Sequence, residues 1–107
     1  MKISFVIPAY NEEKVIGKCL TSVFEEIKIT GLQSPSFKAE VVVVDNASSD
    51  STREEALKFP NVTVVREQIK GLVYARRAGW VATDGDLVAN IDADTILPPG
   101  WLSTVIM

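Results

Sequence analysis

Asp92 and Asp94 stand at i and i+2 in Asp92-Ala93-Asp94-Thr95. Two carboxylates so spaced can share a hard divalent cation, with phosphate oxygens and water completing its shell. Such a cation would neutralise charge building on a departing diphosphate. The same triplet also suits a solvated turn with Asp92 capping a helix, and spacing alone does not separate the two. Asp45 ends the run Val41-Val42-Val43-Val44, where a half-buried carboxylate is costly unless hydrogen-bonded. A nucleobase N–H, a ribose hydroxyl or an Asx-turn at the start of the next helix would each satisfy it. Arg76 and Arg77 lie together in a helical pattern. Either can meet a phosphate or a base from there, and a solvated surface role fits each arginine taken singly.

Other chemistries are excluded by what is missing. The chain has no histidine and one cysteine, Cys19, so a His-based triad, a His-ligated zinc and a disulfide framework are all ruled out. Cys19 falls on an apolar helical face and reads as a small buried hydrophobe. No G-x-G-x-x-G and no G-x-x-x-x-G-K-[ST] occurs, which removes the dinucleotide fingerprint of dehydrogenases and the P-loop. A nucleotidyltransferase would want a Gly-rich, basic loop after the first strand, and Ala9-Tyr10-Asn11 is not one. Net charge is −3 and the basic residues are scattered, so no nucleic-acid footprint is present. Nothing approaches the roughly 20 apolar residues of a membrane span. The apolar run at the start is too short for a signal peptide. With its lone cysteine, the chain is expected in the cytoplasm, and at the inner face of the membrane in the full-length protein.

These residues need elements to hold them. The chain's 107 residues, 47% of them hydrophobic, suit one domain with a sheet buried on both faces. Strands are predicted over Ile3–Ile7, interrupted at Pro8, then over Val41–Val44, Val62–Val65 and Leu87–Ile91. Asn11 is expected to cap a first helix with Glu12 and Glu13 in its opening turn. Val15, Ile16, Cys19, Leu20, Val23, Phe24 and Ile27 form that helix's buried stripe. Ser51 and Glu54 form an S-x-x-E capping box for a second helix that ends before Pro60. A third helix is predicted over Gly71–Ala82, and Pro98 and Pro99 open a last one. The alternation of strands and helices predicts an α/β fold: an open, mostly parallel, Rossmann-like sheet with helices on both faces. Pro8 to Glu12, Asp45 to Asp50, and Asp92 to Asp94 each follow a strand. They therefore gather at its carboxyl edge, where such sheets bind ligands.

The sequence resembles the family 2 glycosyltransferases. Phe5 to Glu13, Val42 to Thr52, Gly71 to Gly79 and Asp92-Ala93-Asp94 follow the family's motifs in order and spacing over nearly the whole chain. The resemblance implies a GT-A fold, here its nucleotide-sugar-binding half over residues 1–107, and inverting transfer from a UDP- or GDP-sugar. It implies that Pro8, Ala9, Tyr10 and Glu12 line the base and ribose and that Asp45 hydrogen-bonds the base. It further implies that Arg76 contacts the nucleotide, Asp92 faces the ribose or sugar, and Asp94 binds Mg²⁺ or Mn²⁺. Arg77 departs from the pattern, standing where the family often has Asn.

Family members continue past the D-x-D into a region that binds the acceptor and supplies a catalytic carboxylate. Only thirteen residues follow Asp94 here and none is acidic, so no catalytic base is assigned and the acceptor half is expected to be absent. A sugar, lipid or protein acceptor is left open. The alternative reading is a non-catalytic nucleotide-binding or interaction module derived from such an enzyme. Ile96, Leu97, Trp101, Leu102, Val105, Ile106 and Met107 form an apolar tail beside the fourth strand. Its exposure would favour a two-fold homodimer through the C-terminal side.

Overall fold

A computed structural model describes residues 1–106, the Ile106 side chain excepted. The elements are β1 (Lys2–Ala9), α1 (Ile16–Gln33), β2 (Lys38–Asp45), α2 (Thr52–Leu57), β3 (Val62–Arg66), α3 (Leu72–Val81), β4 (Leu87–Asn90) and α4 (Trp101–Ile106). The strands form one parallel sheet in the order β3-β2-β1-β4. The chain steps outward from β1 to β3 and then crosses back to β4. Parallel crossovers keep one hand, so reversing direction moves the connecting helix to the opposite face. Helices α1, α2 and α4 therefore cover one face and α3 the other, as the α/β reading expects.

Alternation along the strands supplies both cores. Ile3, Phe5, Ile7 and Ala9, with Val41 and Val43, pack under Ile16, Cys19, Leu20 and Val23 of α1. Val6, Val42 and Val44 turn the other way and meet Ala75 of α3. Helix α3 lies very close to the sheet: a Cβ added at Gly79 would fall 2.2 Å from Val6 Cγ1.

Several local expectations are corrected. Pro8 does not interrupt β1, which runs on to Ala9. The even-numbered residues of β1 direct their backbone groups toward β4, where the Val6 carbonyl accepts the Ile91 N–H at 2.9 Å. Beyond Asn90 that ladder has ended, so the N–H that proline lacks has no partner to lose. Asn11 does not cap α1, which starts at Ile16 without a side-chain cap. Its backbone is left-handed (φ 52°) and its side chain accepts the Ser49 N–H at 2.9 Å, across the loops. The Ser51–Glu54 box also fails to form, since Ser51 makes no side-chain cap bond. Asp50 accepts the Thr52 N–H at 3.0 Å instead, and Glu13 accepts the Ser51 N–H at 3.0 Å. Docking the two loops against each other outcompetes both local caps.

The apolar tail is largely covered. Leu97 and Leu102 are buried, and Trp101 is half-buried with its ring centroid 6.4 Å from that of Phe5. Glu26, buried on α1, accepts the Gly100 N–H at 3.2 Å and the Leu102 N–H at 2.8 Å, capping α4 from a distance in sequence. Ser22 accepts the Leu97 N–H at 2.9 Å. Ile96 and Val105 stay exposed, while the Ile106 side chain and Met107 lie outside the described residues.

Candidate functional site

A cleft of about 640 Å³ opens at the carboxyl edge of the sheet, where β1 separates β2 from β4. Four segments line it: Pro8, Ala9, Tyr10 and Glu12 after β1; Asn46 after β2; Lys70, Gly71, Leu72 and Ala75 at the start of α3; and Asp92, Ala93 and Asp94 after β4. The chain thus brings six of the sequence-predicted residues to one cavity: Pro8, Ala9, Tyr10, Glu12, Asp92 and Asp94. Asp45 and Arg76 are not among the lining residues.

Ala93 is buried while Asp92 and Asp94 are exposed, and the turn after β4 brings both acidic residues to the lining of the cleft. The Asp92 carbonyl accepts the Thr95 N–H at 2.9 Å and the Cys19 thiol at 3.5 Å, which pins the turn to α1. Burial, followed by the Asp94 and Asp92 charges, pushes the Cys19 thiol up to about 12. It remains a protonated, inert group, in keeping with its reading as core. Glu12 is half-buried, and burial raises its carboxyl above the usual range, aided by the charges of Asp94, Asp50 and Asp92. The cleft therefore concentrates negative potential on hard oxygen donors. Among the described residues no group of three or more such ligands is closed around one point. An open pair of carboxylates is what Mg²⁺ or Mn²⁺ uses when substrate phosphates and water fill the rest of its shell. The donor set fits that kind of ion.

Asp45 is almost wholly buried. Its carboxylate accepts the Arg66 guanidinium at 3.0 Å and the Ser48 N–H at 3.1 Å, so an Asx-type turn and an ion pair satisfy it within the protein. An ionised carboxylate has about four lone-pair sites, so two such bonds leave acceptor capacity.

Sequence reasoning missed Asn46 and Lys70. Asn46 donates to the Glu67 and Ile69 carbonyls at 3.1 and 2.8 Å and accepts the Gly71 N–H at 3.0 Å. It clamps the β3–α3 loop to the end of β2. Gly71 has φ 140°, a conformation open to glycine, and this lets the chain turn from the clamp into α3. Lys70 lies between two of the clamped residues, with its Nζ 4.4 Å from the centroid of the Tyr10 ring. An Asn directly after a buried strand was the one available signal for the clamp. Nothing local marks Lys70.

Glycosyl transferase family 2 matches residues 4–107. The chain belongs to that family. This family 2 chain is 35% identical over 97 residues to a dolichyl-phosphate beta-glucosyltransferase of Trichomonas vaginalis, covering 86% of the chain and 30% of that protein. It is 37% identical over 103 residues to dolichol-phosphate mannosyltransferase of Pyrococcus furiosus, covering 92% of the chain and 27% of the relative. Among solved structures, S. aureus TarS matches with a TM-score of 0.82 at 27% identity, over 99% of this chain and 31% of that one. The M. tuberculosis glucosyl-3-phosphoglycerate synthase, crystallised with Mn²⁺, uridine diphosphate and phosphoglyceric acid, gives 0.72 at 30% identity, over 91% of this chain and 34% of its own. The four-stranded parallel sheet with flanking helices is the α/β arrangement of these GT-A neighbours. The chain spans about a third of the length of the relatives it matches. Among the described residues no helix is long and apolar enough to cross a membrane.

Proposed function

We propose that residues 1–107 are the donor-binding half of an inverting glycosyltransferase and hold a nucleoside diphosphate sugar, with UDP or GDP, in the carboxyl-edge cleft. The observation that carries this is the convergence of Glu12, Asp92 and Asp94 with Pro8, Ala9 and Tyr10 on one cavity of a family 2 fold. Tyr10, with Pro8 and Ala9, supplies a wall for base and ribose. Asp92 faces the ribose or sugar, and Asp94 holds the cation. Asp45 accepts a base N–H with its remaining lone pairs, and Arg76, exposed on α3, contacts the nucleotide. A divalent cation bound at Asp94 supplies charge neutralisation to the departing diphosphate. The acceptor, a lipid phosphate or another hydroxyl-bearing or anionic group, is met by residues outside this chain, as is the base that activates it. A two-fold homodimer through the C-terminal side would have to use what stays exposed there: Ile96, Val105 and the free edge of β4.

Calorimetry with UDP and GDP tests the site. Binding is expected to tighten with Mn²⁺ or Mg²⁺ relative to EDTA, and Asp94→Ala is expected to cost about tenfold or more in the metal-dependent affinity. Metal-independent binding that Asp94→Ala leaves unchanged would remove the D-x-D assignment.

A further inference from the structure

Among the described residues, Lys70 is the one basic residue lining a cleft that holds Glu12, Asp92 and Asp94. The acids outnumber it, so a diphosphate entering this cavity meets mostly like charge. Arg66, the arginine nearest in sequence, is paired with Asp45, and neither it nor Arg76 and Arg77 is part of the lining. The placement of Lys70 is built from both sides: Asn46 holds the Ile69 carbonyl at 2.8 Å and the Gly71 N–H at 3.0 Å. Its backbone is thereby fixed while its side chain is exposed. From there the ammonium lies over Tyr10, 4.4 Å from the ring centroid, linking the loop before α3 to the loop after β1. An ammonium on a flexible four-carbon stem can leave a ring face for phosphate oxygens at little cost, because a charge-assisted hydrogen bond is the stronger contact.

We infer that Lys70 is the side-chain cation that binds the diphosphate of the donor beside the metal at Asp94, and that Tyr10 exchanges the Lys70 ammonium for the nucleobase on its ring. This rests on the nucleotide-sugar reading of the cleft. Lys70 and Tyr10 then form a two-part clasp. One part answers to phosphate charge and the other to an aromatic face, and each part is released by the other when the nucleotide enters.

The test is competition binding of UDP, UMP and uridine to the 107-residue chain in Mn²⁺, for the wild type, Lys70→Met, Lys70→Arg and Tyr10→Leu. Lys70→Met is expected to weaken UDP about tenfold or more, to weaken UMP less and to leave uridine within about twofold. Lys70→Arg should recover most of the UDP affinity, since it keeps the charge. Tyr10→Leu should weaken all three ligands by a similar factor. Equal losses for uridine and UDP in Lys70→Met would reduce Lys70 to a prop for Tyr10 and overturn the inference. UDP binding unchanged by Lys70→Met would overturn it while leaving the site reading intact. A wild type that binds neither UDP nor UMP would overturn both.

Discussion

The two faces of the sheet are covered by different means. Under α1 and α4 the contacts run through long side chains, with Phe5, Ile7, Leu20 and Leu102 fully buried. Under α3 they run through Ala75 and Gly79 against Val6 and Val44, while Leu72, Val73, Tyr74, Trp80 and Val81 remain exposed. One face is held by volume and the other by closeness of approach. The cleft draws on both, since its acidic turn is tied to α1 through Cys19 and its basic wall is the start of α3. A thick core thus stands behind the acidic turn and a thin one behind the start of α3.

Removing volume from the α1 face costs the fold most. Leu20→Ala removes a fully buried side chain from the α1 face, and urea unfolding is expected to show a loss of about 2–5 kcal/mol. For a domain of this size that is a large share of the total. Gly79→Ala probes the other face by adding a methyl that would overlap Val6 Cγ1, with an expected loss of about 1–3 kcal/mol. Val6→Ala in the same chain should recover part of that loss, since it removes the overlapping atoms. A double variant no more stable than Gly79→Ala alone would show that close packing is not what limits this face. Because Ala75 and Leu72 line the cleft, Gly79→Ala should also weaken UDP more than Leu20→Ala does at equal folded fraction.

The smallest effect concerns assembly, where the faces compete. The C-terminal side retains Ile96 and Val105, whereas α3 presents a broader apolar surface around Trp80 and Val81. Exposed apolar area is what drives association. In sedimentation at micromolar concentration, Trp80→Gln with Val81→Gln is expected to lower any dimer fraction more than Ile96→Ser with Val105→Ser. The opposite result would return the interface to the C-terminal side.

Much of this was legible from residue order alone. The valine run, the apolar stripe of α1 and the acids after each strand reflect local chemistry with a period, and the sheet follows the same period. The corrected elements share one cause. Asn11, Ser51 and Glu54 carry the residue types of helix caps, yet Asn11 bonds to Ser49 and Glu13 takes the Ser51 amide, each across 38 positions. Loop-to-loop contacts at that separation leave no mark on the local pattern.

By itself the sequence determined the strand and helix alternation, the burial of Cys19, and the set of acids brought to the carboxyl edge. Each of these depends on side-chain chemistry repeating over a few residues and on the handedness of parallel crossovers. Only the tertiary structure decided that Glu26 caps α4, that Asn46 clamps the loop before α3, and that Asp45 pairs with Arg66. It likewise decided that Lys70 faces Tyr10 across the cleft. Those contacts join residues 21 to 76 positions apart wherever a side chain bonds to a distant group. Their partners are chosen by how the sheet is ordered and how closely α3 approaches it, and neither quantity exists until the chain has folded.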